Sequence, residues 1–249
     1  MGKSKDLATG ETRFVNTAGD NMTGNLGIGT TSPNGALHVK GISDHGKIVV
    51  EHGGTSGSTN HNFISFHNHA GNTVAEIQSE ENATNSSALL FKTGGTTTNM
   101  TVSHNGHVTM PNNPYFWVQA GSSSASDHSG GSVVFSTGLV NSSTLSDTGG
   151  HFNTSNGRFT APVSGVYHFS AVVRIDSFGG TYSYLTLWDS GSVAFCRDLT
   201  SQTGTYNSQT VAASRYLSAG DYVYCLLVTA GDTSTTISSD SYFSGHLVG

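Results

Sequence analysis

The sequence predicts an all-β protein ending in an antiparallel jelly roll, and three observations predict it. From Val166 to Arg174 the side chains alternate, with Tyr167, Phe169, Ala171 and Val173 on one face and His168, Ser170 and Arg174 on the other, as in a half-buried strand. Short apolar segments recur along the chain between clusters of Gly, Asn, Ser and Thr, and no segment has persuasive helical periodicity. Only 10% of residues are charged, while glycine supplies 32 of 249, a composition of tight turns and backbone ladders. Regular apolar alternation argues against disorder, which would lack such faces.

Residues 1–16 are polar and short of core residues, so the sequence predicts a flexible or partner-dependent end. The stretch from Ala18 to Pro33 has only Met22, Leu26 and Ile28 as apolar anchors among its glycines. It resembles a phrase of bacteriophage tail fibres and other trimeric adhesive fibres, where it begins a shaft. A single chain cannot build a core from so few anchors, whereas three chains can oppose symmetry copies on an axis. From Ala36 to Met110 the expected strands are Ala36–Val39, Lys47–Glu51, Asn62–His67, Thr73–Gln78, Ala88–Lys92, Met100–His104 and His107–Met110. The last two flank Asn105-Gly106, a type I′ hairpin signal, and the polar run Ser79–Ser87 reads as a surface excursion. This region is thin in large apolar residues for an independent monomeric domain. An interleaved β shaft shared by three chains is the expectation. Pro111-Asn112-Asn113-Pro114 marks a junction, dividing the chain into an attachment segment (1–33), a shaft (34–113) and a head (114–249).

The head begins with Tyr115–Gln119 and Ser132–Phe135. Leu185–Trp188 pairs with Val193–Arg197, and Gln209–Leu217 with Asp221–Val228, while Tyr242–Val248 closes the fold. Pro162 cannot donate to a ladder and belongs at a strand end, and Gly165 permits the turn into the next strand. Phe152, Phe159, Gly165, Tyr167 and Phe169 have the spacing of the globular-head signature of complement C1q-type proteins, relatives of the tumour necrosis factor jelly roll. Leu217–Val223 and Tyr242–Val248 resemble that family's penultimate and closing strands. The segment from Asn141 to Phe152 is longer than the family pattern, and Ala171 stands where an aromatic is usual. The resemblance implies a C1q/TNF-like head.

A net charge of −6 without a Lys or Arg cluster argues against nucleic acid as a partner. No run of about 20 apolar residues could insert in a membrane. The start, Met1–Leu7, has basic residues with no apolar stretch behind them, which is no secretory signal, so assembly in a host cytoplasm is expected. Cys196 and Cys225 lie in expected strands and read as buried small hydrophobes rather than a disulfide.

His67-Asn68-His69 is the sharpest chemical signal. Two apart in a strand, both imidazoles would share a face, and three copies on an axis would offer an octahedral site for a transition metal such as iron or nickel. The resemblance to phage fibres gives this weight; the alternative is a pair of exposed residues at a strand end. Resemblance to C1q heads implies calcium near the trimer top, and the head has eight aspartates, no glutamate and no Asp-rich loop. Neither Gly-x-Ser-x-Gly nor His-Glu-x-x-His occurs, and isolated aspartates such as Asp176 and Asp189 do not make the paired carboxylates of a glycan-cleaving tailspike. No enzyme is expected. If the chain enters and leaves the head at its base, strand parity puts the connections Asp176–Tyr182, Leu199–Ser208 and Ala230–Ser239 at the tip. Phe178, Tyr182, Gln202, Tyr206 and Asn207 are then candidates for sugar recognition by stacking and hydrogen bonds. Together these readings predict a homotrimeric tail fibre of the virion, joined to other phage tail proteins through its N-terminus and recognising a host-surface glycan or protein. The alternatives are a secreted C1q-like lectin or a depolymerising tailspike.

Overall fold

The computed structural model describes residues 26–28, 30, 32, 34–40, 48–50, 60–83, 86–121, 123–124, 132–136, 139–140, 145–201, 204–232 and 235–249. These residues form β-strands and no helix. β1 (Leu26–Ile28) and β2 (Leu37–Val39) pair in parallel, Leu26 opposite Leu37. β3 (Asn60–His67), β4 (Thr73–Ala83), β5 (Ser86–Thr93), β6 (Thr97–Val102) and β7 (Val108–Thr109) form a five-stranded antiparallel meander.

In the meander, register sorts the side chains. Ile64, Ile77, Phe91 and Met100 lie opposite one another in one row, and Leu89, Val102 and Val108 in the next. Those rows carry no charge. On the other face the Lys92 ammonium donates to Gln78, whose amide meets His61 Nδ1 at 2.9 Å, and Ser65 donates to Glu76 at 3.0 Å. Among the described residues nothing closes over this face: Ile64 is 53% exposed, Phe66, on the same face, 51% and Val108 52%.

Several expectations for this region change. Residues 48–50 are not in a strand, while Lys47 and Glu51 lie outside the described residues. The polar run from Ser79 continues the ladder, since β4 extends to Ala83 and β5 starts at Ser86: a strand with one solvated face needs no further apolar residues to extend. The turn at Asn105-Gly106 is not type I′. Gly106 donates to Ser103 O at 2.8 Å and has φ 79°, but Asn105 is not left-handed, which is a type I turn closed by a left-handed glycine.

The remaining strands are β8 (Tyr115–Gln119), β9 (Ser123–Ser124), β10 (Ser132–Val133), β11 (Ser146–Asp147), β12 (Phe152–Asn153), β13 (Arg158–Thr160), β14 (Gly165–Phe178), β15 (Tyr182–Asp189), β16 (Ala194–Thr200), β17 (Gly204–Leu217), β18 (Tyr222–Ala230), β19 (Thr236–Ile237) and β20 (Tyr242–Leu247). One sheet carries the order β8-β20-β14, with β17 pairing the far side of β14. The other runs β12-β13-β18-β15-β16. Neighbours in both are antiparallel, and β8-β20, β20-β14, β14-β17, β13-β18 and β18-β15 join strands distant in sequence, the signature of a jelly roll rather than a meander. β17 pairs β14 and not β18, which corrects the expected pairing of Gln209–Leu217 with Asp221–Val228.

Alternation along β14 buries Tyr167, Phe169, Ala171, Val173 and Ile175 between the sheets. Phe116 is the hub: its ring lies 4.9 Å from Phe152, 4.8 Å from Phe159 and 4.8 Å from Phe243. Gly245, opposite Phe116 and Phe169 in the ladder, has no room for a side chain, since a Cβ there would stand 2.6 Å from the Phe169 ring and 2.7 Å from Phe116. Buried Tyr167 donates its hydroxyl to Val163 O at 2.8 Å, and burial raises its pKa. Cys196 and Cys225 are free and lie opposite Leu187 from the two strands flanking β15. Two strand spacings, about 10 Å, are too far for a disulfide.

Candidate functional site

The ends of the sandwich follow from register. At one end, Asp221 O accepts from Ala161 N, Gly220 N donates to Ala161 O, and Ser190 Oγ donates to Asp221 Oδ1, so the turns near 161, 190 and 220 are tied together. Leu247 N donates to Pro114 O at 3.0 Å and Val166 N to Gly249 O at 2.7 Å at this end. The chain enters and leaves the head here. At the opposite end Phe178 pairs with Gly204, Asp176 with both Tyr206 and Thr236, Tyr182 with Ala230, and Ser183 with Thr200. The strands that bound the three connections end together at this tip, and they run further than expected, leaving three residues between β14 and β15 and three between β16 and β17, with Tyr206 and Asn207 on β17 itself.

Phe178 is 3% exposed. Its ring lies against Gly180, where a Cβ would come within 2.8 Å, so it plugs the tip from beneath. It offers no outer face to a sugar, and its burial corrects the expectation of an exposed ring. Asp232 holds the connection over it, accepting from Gly179 N at 3.1 Å and Thr235 Oγ1 at 3.0 Å.

Tyr206 is the most exposed tip aromatic, at 68%, and the Arg174 guanidinium lies 4.8 Å from its ring centroid. Arg174 is fixed by Asp176 at 2.8 Å and by Asp240. Tyr182 opens β15 exposed and stacks on Tyr184 at 6.4 Å with an interplanar angle of 9°. Asn207 is half-buried, and its Nδ2 has neither solvent nor a partner. Gln209, two residues on, ties the sheets by donating to Ser183 O and Asp198 O. Gln202 lies outside the described residues. The tip thus offers Tyr206 and Tyr182 as open faces, on a base of buried, hydrogen-bonded residues.

The His67–His69 pair is not on one strand. β3 ends at His67, and His69 sits in the turn that follows, so the two-residue period linking them stops between them. Asn68 Oδ1 builds that turn by accepting from Ala70 N at 3.0 Å and Asn72 N at 3.1 Å. His67 Nδ1 meets Gly71 O at 2.9 Å. Both imidazoles are exposed. Among the described residues no group of three or more His, Cys, Asp or Glu is placed to hold a metal. The acids near the tip serve as staples: Asp232 holds a loop, while Asp176 and Asp240 hold Arg174.

Two antiparallel sheets around an aromatic core, with three inter-strand connections at the end away from the chain's entry, define a jelly-roll head. The C1q domain matches residues 115–248, more than half of the chain, and the protein belongs to the C1q-domain family. C1q domains are typically non-enzymatic binding modules. Among solved structures, the globular domain of zebrafish complement 1qA protein is similar over 55% of this chain and 98% of that one, at 20% identity and a TM-score of 0.38. No curated protein matches the chain.

Proposed function

We propose that the chain is a homotrimeric adhesion fibre of a phage tail. Residues 1–33 join it to other tail proteins, residues 34–113 form the shaft, and the C1q head at 114–249 recognises the host surface, with glycan as the favoured ligand. The observation that carries this reading is the apolar face of β3–β7. Rows such as Ile64–Ile77–Phe91–Met100 are characteristic of a buried sheet face, yet half of Ile64 and Phe66 stays open to solvent. Burial of apolar area favours association by about 25 cal/mol per Å², and two further copies of the same face supply the cover. β1 and β2 repeat the pattern, with Leu26, Ile28 and Leu37 exposed. Three heads on one fibre raise avidity without tight single-site binding. The weak chemistry of the tip suits that mode: two open tyrosines and short polar groups.

Sedimentation equilibrium of the full chain tests the reading. The expected species is a trimer, and Ile64→Asp/Phe66→Asp should shift it toward monomer while the head's near-ultraviolet circular dichroism persists. A wild-type protein that sediments as a monomer at every concentration sinks the fibre. Family membership also supports a C1q-like ligand with no virion; deletion of residues 1–33 separates the two, since a fibre so truncated should fail to enter particles.

A further inference from the structure

The outer face of the β12-β13-β18-β15-β16 sheet carries side chains that its role in the fold does not require. Directly opposed residues share a side, which places Arg158, Tyr224 and Trp188 in one row. Tyr222 lies opposite Thr160 beside them, while Arg197 lies opposite Thr186 in the next row and Tyr184 opposite Leu199 in the row beyond. Their chain neighbours Phe159, Val223, Leu185, Leu187 and Cys225 fill the core, so this set points away from it.

The head has four basic residues, all arginine: Arg158, Arg174, Arg197 and Arg215. Arg174 is neutralised by Asp176 and Asp240, and Arg215 by Asp189. Arg158 and Arg197 have no carboxylate partner among the described residues, and both stand on this one face. Each is laid on tyrosine instead. The Arg158 guanidinium is 4.1 Å from the Tyr222 ring centroid and 5.6 Å from Tyr224, and Arg197 is 4.5 Å from Tyr184. The nearby acids point inward: Asp189 meets Arg215, and Asp198 accepts from Thr210 N at 2.9 Å. Between the arginines, Trp188 Nε1 is a donor with neither solvent nor a partner.

A guanidinium stacked on a ring is held in place with its N–H edge free to fork a carboxylate or sulfate. Three strand spacings across the sheet and two residues along it separate Arg158 from Arg197, so their backbone positions are about 16 Å apart. A single small anion cannot reach both, whereas a repeating one can, crossing aromatic surface suited to pyranose rings. We propose that this outer face binds an acidic polysaccharide, the repeated anions meeting Arg158 and Arg197 and the sugar rings lying over Tyr184 and Trp188. This rests on the reading of the head as glycan-binding, names the class of glycan, and moves its main contact from the tip to the side of the head.

The test uses the full chain and three immobilised polymers: a polysialic acid, dextran sulfate and neutral dextran. Wild-type protein should bind one or both acidic polymers, weaken as salt rises, and ignore neutral dextran. Arg158→Gln/Arg197→Gln should lower that affinity at least about tenfold with unchanged thermal stability, and Arg158→Lys/Arg197→Lys should fall between, keeping the charge without the planar fork. Preference between the two acidic polymers identifies carboxylate or sulfate as the recognised group. Binding to neither acidic polymer, equal binding to dextran, or affinity indifferent to the Gln variant each overturns the inference. Adsorption to host cells reads the adhesion proposal separately. If wild-type and Gln variant adsorb equally well, adhesion stands and the acidic site falls; if the wild type does not adsorb, adhesion itself fails.

Discussion

Replacing Gly245 with alanine adds one methyl group to the middle of β20, and the structure gives the sign and size of the result. The new Cβ would stand 2.6 and 2.8 Å from two atoms of the Phe169 ring and 2.7 Å from Phe116, well inside contact distance. Neither ring has space to withdraw, since Phe116 is packed on Phe152, Phe159 and Phe243 at centroid distances of 4.8–4.9 Å. Overpacking of this kind costs about 1–3 kcal/mol, and the locked rings put Gly245→Ala at the upper end. The loss of glycine's freedom in the unfolded chain returns roughly 0.5–1 kcal/mol, leaving a net destabilisation of about 2 kcal/mol. For a head of this size that lowers Tm by roughly 5–10 °C. Gly204→Ala is the matched control: nothing lies within 4 Å of its built Cβ and its backbone is not left-handed, so the same methyl group should stabilise by up to about 1 kcal/mol. Both tryptophans, Trp117 and Trp188, belong to the head, so their fluorescence during melting reports this domain alone. A Gly245→Ala protein as stable as wild type, at equal concentration, would refute the account of the core.

Three further outcomes follow from the same geometry. Arg215→Gln leaves the carboxylate of Asp189, 8% exposed, with only the Gly191 and Val193 amides at 3.0 Å; because Arg215 is itself partly solvated, the loss by urea denaturation should be roughly 1–2 kcal/mol, below that of a fully buried pair. Burial pushes the Cys225 thiol pKa up, so the folded state holds its proton where the unfolded state releases it. That stabilisation is complete below the ordinary thiol value of about 8.5 and is lost as pH rises above it: the stability of wild type should fall between pH 8 and 10 more steeply than that of Cys225→Ala, and Cys225 should resist thiol reagents until the protein unfolds. Tyr206→Ala removes the most exposed tip aromatic and should change stability by no more than about 0.5 kcal/mol, while weakening attachment in a host-cell adsorption assay if the tip touches the receptor.

The head was legible because its signals are redundant. Alternation over Val166–Arg174 gave both the strand and its buried face, and the five signature residues include four rings or ring neighbours of the Phe116 cluster. Convergence of the three tip connections follows from strand parity alone, which needs only the order and direction of strands. What failed to show were effects of the third dimension on single residues. Phe178 reads as a loop aromatic, but β14 runs long enough to carry it under the tip. His69 reads as part of a strand that in fact ends two residues earlier, because the Asn68 side chain makes a turn there. The outer arginine and tyrosine face left a trace in the pairs Tyr182, Tyr184 and Tyr222, Tyr224, each two apart. That Arg158 and Arg197 have no acid partner among the described residues, however, depends on where Asp189 and Asp198 point, which only pairing across two sheets decides.

Pro114 and Gly249 are stitched to the same end of the head, through Leu247 and Val166. A domain whose first and last described residues share one boundary behaves as a cassette: a different C1q head could be grafted at that boundary without disturbing the strands between. Exchange of one such head for another then needs repair only at that boundary, whether by recombination or at the bench.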